Sequence, residues 1–81
     1  MADVAEVTHF FDHISVAVLE LKGALKVGEK IAFFDKENKL FEQVIDSMQV
    51  DHKPVQLAKK GEAIGLKVLH PVKEGFRVEK V

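Results

Sequence analysis

Apolar residues in this chain recur mostly at every second position or in short unbroken runs, which is the signature of β-strands and not of helices. Ile64, Leu66 and Val68 fall on one face of a segment whose other face carries Gly65 and Lys67. Phe76 and Val78 alternate with Arg77 and Glu79 in the same way. A pleated strand places successive side chains on opposite faces, so such segments bury one face and leave the other free.

Six strands are predicted on this basis: Val4 to Phe11, Ile14 to Leu21, Lys30 to Phe34, Leu40 to Val50, Ala63 to Leu69 and Phe76 to Val81. Gly23 ends the second strand, and Leu25 to Glu29 reads as a turn. Asp35 to Lys39 is a polar connection of hairpin length. The apolar phase of the fourth strand changes near Ile45, which predicts a bulge there. Pro54 is expected to end pairing of that strand, because it offers no N–H. Val55 to Lys60 has the composition of a single helical turn, too short to persist as a helix and stopped at Gly61. Strands at intervals of about ten residues, with no long helix, indicate a small barrel or sandwich. The segment Ile14 to Leu21 is apolar on both faces. Its outer face is therefore either covered by the N-terminal strand or a loop, or left free to dock a partner.

At 81 residues the chain has room for one domain, taken as residues 1–81. No repeat or linker is evident, and no apolar run is long enough to span a membrane. The acidic start Met1-Ala2-Asp3-Val4-Ala5-Glu6 lacks the features of a signal peptide, which predicts a cytoplasmic location. Cysteine is absent, excluding thiol catalysis and thiolate metal sites. The net charge of −1 argues against strong non-specific nucleic-acid binding. The charge is uneven, however: residues 1–51 carry five Lys and ten acids, whereas residues 52–81 carry six Lys, one Arg and three acids.

Candidates for chemistry are few. His9-Phe10-Phe11-Asp12-His13, with His52 and His70, allows a composite metal site, but the two leading histidines join strands and need not converge; turn and surface roles account for them better. Ser15, Ser47 and Thr8 have no base beside them in sequence. Asp35 and Glu37 lie in a polar loop, where a solvated turn explains them. No catalytic, cofactor or metal residue is assigned. The binding candidates are basic: Lys53, Lys59, Lys60, Lys73 and Arg77 would meet phosphates if their loops share one end of the fold. The absence of Tyr and Trp leaves only phenylalanines for base stacking.

The segment from Val44 to Gly65 resembles the second domain of the elongation factor Tu family. The residues concerned are Ser47-Met48-Gln49-Val50, His52, Pro54-Val55, Ala58, Gly61-Glu62 and Ile64-Gly65. Gly23-x-Leu25-Lys26-Val27-Gly28-Glu29 resembles a turn of that domain, and Val72 to Val78 resembles its closing segment. The resemblance covers about residues 8–81. It implies an all-β fold, a small closed six-stranded β-barrel of the elongation-factor second-domain type. It implies a non-catalytic module that contacts RNA or a protein of the translation apparatus. Similar barrels also occur as C-terminal tails of collagenase-like peptidases. The family's nucleotide site lies in another domain, and no nucleotide is expected here. The chain has no G-x-x-x-x-G-K-S/T loop, and Phe41 stands where Asn38-Lys39-Leu40-Phe41 would need an acid to read guanine. A second reading is an interaction subunit or accessory domain of a larger enzyme, binding through the apolar outer face of Ile14 to Leu21. A remote third is a small histidine-based metal-binding protein. In the resemblance, Gly28 and Gly61 mark turns needing positive φ, and Gly65 is expected to lie under a closely approaching backbone.

Overall fold

The computed structural model describes residues 3–81, all of whose strands pair antiparallel. They are β1 (Ala5–Phe11), β2 (Val16–Leu21), β3 (Leu25–Lys26), β4 (Lys30–Phe34), β5 (Lys39–Val44), β6 (Met48–Val50), β7 (Lys53–Val55), β8 (Leu57–Ala58), β9 (Ala63–Lys67) and β10 (Arg77–Lys80). Eight form one sheet in the order β5-β4-β10-β1-β2-β9-β6-β7, while β3 pairs with β8 in a separate ribbon. The all-β class is as expected. The architecture is more divided than a closed six-stranded barrel: there are ten strands among the described residues, and no ladder joins β5 to β7.

Alternation builds the core. Leu19 and Leu21 from β2, Ile31 and Phe33 from β4, Ile64 and Leu66 from β9 and Val78 from β10 are all buried. Burying each such side chain contributes about 1.5–3 kcal/mol. Phe41 stacks on Phe33 with centroids 4.7 Å apart, extending the core under β5. Adjacent phenylalanines divide between faces: Phe33 is buried, whereas Phe34 lies beneath the Arg77 guanidinium, 5.5 Å from its ring centre.

Three expectations require correction. The fourth strand is two, because Ile45 turns inward and residues 45–47 leave the ladder between β5 and β6. Val55 to Lys60 contains no helical turn; Val55 closes β7 and Leu57–Ala58 is β8, paired with the distant Leu25–Lys26. Pro54 does not end pairing but sits within β7 opposite Gln49. It is tolerated because β7 is an edge strand, whose outer N–H positions have no partner.

The ladder that is missing between β5 and β9 is replaced by one side chain. Gln43, almost fully buried, donates from Nε2 to the carbonyl of Lys67 at 2.9 Å, and its Oε1 accepts from the Leu69 N–H at 3.0 Å. The sheet therefore curls until its first strand reaches the end of its sixth.

Two turns are copies of one another. Lys26-Val27-Gly28-Glu29 and Lys59-Lys60-Gly61-Glu62 each place glycine at positive φ, 98° and 90°. In each, the glutamate N–H donates to the lysine carbonyl at 3.1 Å. The glutamate side chain in turn accepts from the lysine N–H, at 2.8 Å and 2.6 Å respectively. The motif Lys-x-Gly-Glu thus closes both β3 into β4 and β8 into β9. Among the described residues, no helix is long and apolar enough to cross a membrane.

Candidate interaction surface

The outer surface of the curled sheet falls into two unlike parts. Ion pairs cover the first: Glu6 with Lys22, Glu42 with Lys30 and Lys39, Lys80 with Glu29, and Arg77 with Asp3 and Glu79. Among the described residues, none of these pairs involves β2, β6 or β9. There the outer face has an apolar centre, Val16 and Val18 of β2 beside Gly65 of β9, flanked by Glu20, Gln49 and Lys67. Val16 and Val18 of β2 alternate with the buried Ala17 and Leu19, so they point outward, as a strand apolar on both faces requires.

A bulge in β1 supplies the next element. Val7 points inward opposite Leu19, and simple alternation would send His9 and Phe11 inward too. The register shifts between Val7 and His9, leaving Thr8 as the extra residue. Phe10 then packs toward the core opposite Ala17, and Phe11 emerges outside opposite Val16. Phe11 is 46% exposed and Ile14, in the turn that follows, 60%. Without the bulge Phe11 would have faced the core.

Gly65 lies opposite both Val18 and Gln49 and lines a hollow of about 350 Å³. Phe11, Ile14, Val16 and Val18 bound it on one side, and Gln49 with the β6–β7 hairpin on the other. A Cβ at Gly65 would meet only Val16 Cγ1, at 3.7 Å, an ordinary contact. The expectation of a backbone pressed against Gly65 is therefore corrected: the glycine faces open space.

The hollow is bracketed by unusual backbone. Asp51 and His52 form the two-residue turn between β6 and β7, both at positive φ, 56° and 63°. Such a hairpin turn favours Asn-Gly, and histidine there is strained. Ser15, at φ 55°, closes the β1–β2 turn, and its carbonyl accepts from Val68 N–H at 2.8 Å. These are the non-glycine residues at positive φ among the described residues.

The five basic candidates lie on different elements. Lys53 lies on edge strand β7, and four strands separate β7 from β10, which carries Arg77. Lys59 and Lys60 belong to the second Lys-x-Gly-Glu turn, tied to β2 by the Gly61 N–H bond to the Leu21 carbonyl. Lys73 and Arg77 both adjoin the β4–β5 loop, which carries Asp35 and Glu37. Arg77 is engaged there, its Nη2 donating to the carbonyls of Asp35 and Lys36 at 3.3 Å and 3.4 Å. Asp35 is itself a turn residue: N–H groups of Asn38 and Glu37 bond its carboxylate and hold its pKa below the usual range. Glu42 is held low by hydrogen bonds from Lys39 and Lys30.

The histidines do not converge. His9 lies 3.6 Å from Glu74 and edge-on to Phe11, His13 lies 3.8 Å from Asp12, and His70 packs edge-on against Phe41. No three metal-ligating side chains meet among the described residues.

No family model matches the chain. It is 43% identical over 76 residues to an uncharacterised protease of Methanocaldococcus jannaschii. That match takes in 94% of this chain but 19% of the relative, so the chain spans about a fifth of the length of the curated relative it matches. Two crystal structures of the C-terminal domain of a Geobacillus thermoleovorans protein assigned as a U32 peptidase share the fold, each at 18% identity. The selenomethionine variant aligns with TM-score 0.91 over 99% of this chain and all of that one. The other aligns with TM-score 0.90 over 98% and 91%. These matches answer to the peptidase-tail resemblance; they do not show the elongation-factor one.

Proposed function

We propose that this chain is a non-catalytic accessory domain of a larger, peptidase-like protein. The observation that carries the proposal is the pairing of a high identity with a short span: 43% identity to a protease, confined to 19% of its length. A fold that also stands as the C-terminal domain of a protein assigned as a peptidase supports the same reading. So does the surface. An apolar patch without ion pairs, beside a sheet otherwise laced with them, suits a docking role and not acid–base chemistry. The curled sheet is read as a barrel whose seam is held by Gln43 in place of a ladder.

The rival reading, a translation-factor-like module meeting RNA through Lys53, Lys59, Lys60, Lys73 and Arg77, draws less support. Those residues come from different elements, and the guanidinium that would grip a phosphate is engaged by carbonyls and acids.

The test is co-expression of this chain with the M. jannaschii relative lacking its matching segment. Co-elution of the two in size-exclusion chromatography, with no cleavage of casein by the chain alone, is the expected result. Separate elution, or peptide-bond cleavage by the isolated chain, contradicts the proposal.

A further inference from the structure

We infer that the hollow over Gly65 is a socket for an apolar side chain projected by the remainder of the larger protein, an inference that rests on the accessory-domain reading.

The face has the anatomy of an interface, an apolar centre within a polar rim. Phe11, Ile14, Val16 and Val18 form the centre, and Glu20, Lys67 and the Asp51–His52 turn form the rim. Three local irregularities converge on this one place. A bulge at Thr8 breaks the β1–β2 ladder to expose a phenylalanine. Two non-glycine residues hold positive φ in the hairpin that walls the hollow. A glycine interrupts the middle of β9, where it weakens a strand and gains nothing from packing, since a Cβ fits there without conflict. The hairpin requires positive φ in its turn and the bulge helps the sheet to curl, but the glycine in β9 has no packing reason, and all three together present a concave apolar surface.

The occupant follows from the span of the match. In the M. jannaschii relative this segment is a fifth of the chain, so the rest of that protein is held beside it by covalent linkage. A second copy of this chain fits less well. A two-fold contact sets the same patch against itself, hollow facing hollow, whereas a socket asks for a knob. The hollow, about 350 Å³, has room for a large aliphatic or aromatic side chain.

The test is calorimetric titration of the M. jannaschii relative lacking its matching segment with this chain and two variants. Gly65→Leu fills the socket, and Phe11→Ser removes part of its wall. Thermal unfolding and circular dichroism establish that each variant is folded; should Gly65→Leu fail to fold, Phe11→Ser and Gly65→Ala decide. Binding by the wild type that weakens about tenfold or more in the variants is the expected result. Wild-type binding that the variants leave unchanged overturns the socket while sparing the accessory-domain reading. No wild-type binding overturns both. Dimerisation of the isolated chain that Gly65→Leu abolishes would assign the face to a second copy and overturn the inference.

Discussion

Gln43 of β5 and Lys67 of β9 share no ladder, yet the Gln43 amide donates to the Lys67 carbonyl at 2.9 Å and so joins the first strand of the sheet to its sixth. The same side chain accepts from Leu69 N–H, leaving no buried side-chain polar atom unpartnered among the described residues. Gln43→Leu keeps the bulk and removes both bonds, stranding a carbonyl and an N–H. A loss of about 2 kcal/mol in urea unfolding is expected. A change under about 0.5 kcal/mol would show that the seam is held by packing alone.

The two Lys-x-Gly-Glu turns and Gly65 make a controlled comparison. Gly61→Ala forces a Cβ into φ 90° and is expected to cost about 1–2 kcal/mol. Gly65→Ala adds a Cβ in open space and is expected to be neutral or to stabilise by about 0.5 kcal/mol. Denaturant midpoints of the two variants, measured side by side, check the difference; equal losses would contradict it.

His52 is the clearest case of strain beside the socket. His52→Gly permits positive φ at the second position of the hairpin turn, and a gain of about 1 kcal/mol in thermal or urea unfolding is expected. A loss would mean that the imidazole makes a stabilising contact.

Two carboxylates are expected to contribute to the response to acid. Asn38 and Glu37 N–H groups hold Asp35 below its ordinary pKa, and Lys39 and Lys30 do the same for Glu42. A depressed folded-state pKa contributes stability that is present above the unfolded value and is lost as the pH falls through the folded one. Urea midpoints are therefore expected to hold steady near neutrality and to decline below the ordinary carboxylate range. The decline should be shallower in the Asp35→Asn, Glu42→Gln double variant, and an identical decline would locate the acid sensitivity elsewhere.

Much of the fold is legible in the sequence. Period two in β9 and β10 and short apolar runs in β1, β2 and β4 mark these segments, because each pattern is local. Gly28 and Gly61 announced their turns, since positive φ is a local demand. What escaped was non-local. Leu57–Ala58 forms a strand only because Leu25–Lys26 lies beside it, and Pro54 is acceptable only because β7 is an edge. Gln43 in an otherwise ordinary strand gives no sign of the bonds it makes across the seam. The repeated Lys-x-Gly-Glu is visible in the letters, but four residues alone do not show that both copies close the same hydrogen bonds.

The surface was half legible. That Ile14 to Leu21 is apolar on both faces gave warning of an exposed patch, now seen at Val16 and Val18. The bulge that brings Phe11 to it depends on register and could not be read from alternation. Gly65 is conspicuous in the sequence, but a glycine in a strand fits either a crowded or an empty setting until its neighbours are known.

The most direct measurement is the affinity of this chain for the M. jannaschii relative lacking its matching segment, taken by calorimetry at about 50 mM and about 500 mM NaCl. An accessory domain docking through an apolar socket is expected to bind at both, with affinity little changed by salt. It should also be little changed when Lys53, Lys59, Lys60 and Lys73 are replaced together by alanine. No binding to the protein, with capture of RNA that is lost at the higher salt and in the lysine variant, would contradict it and return the chain to the translation-module reading.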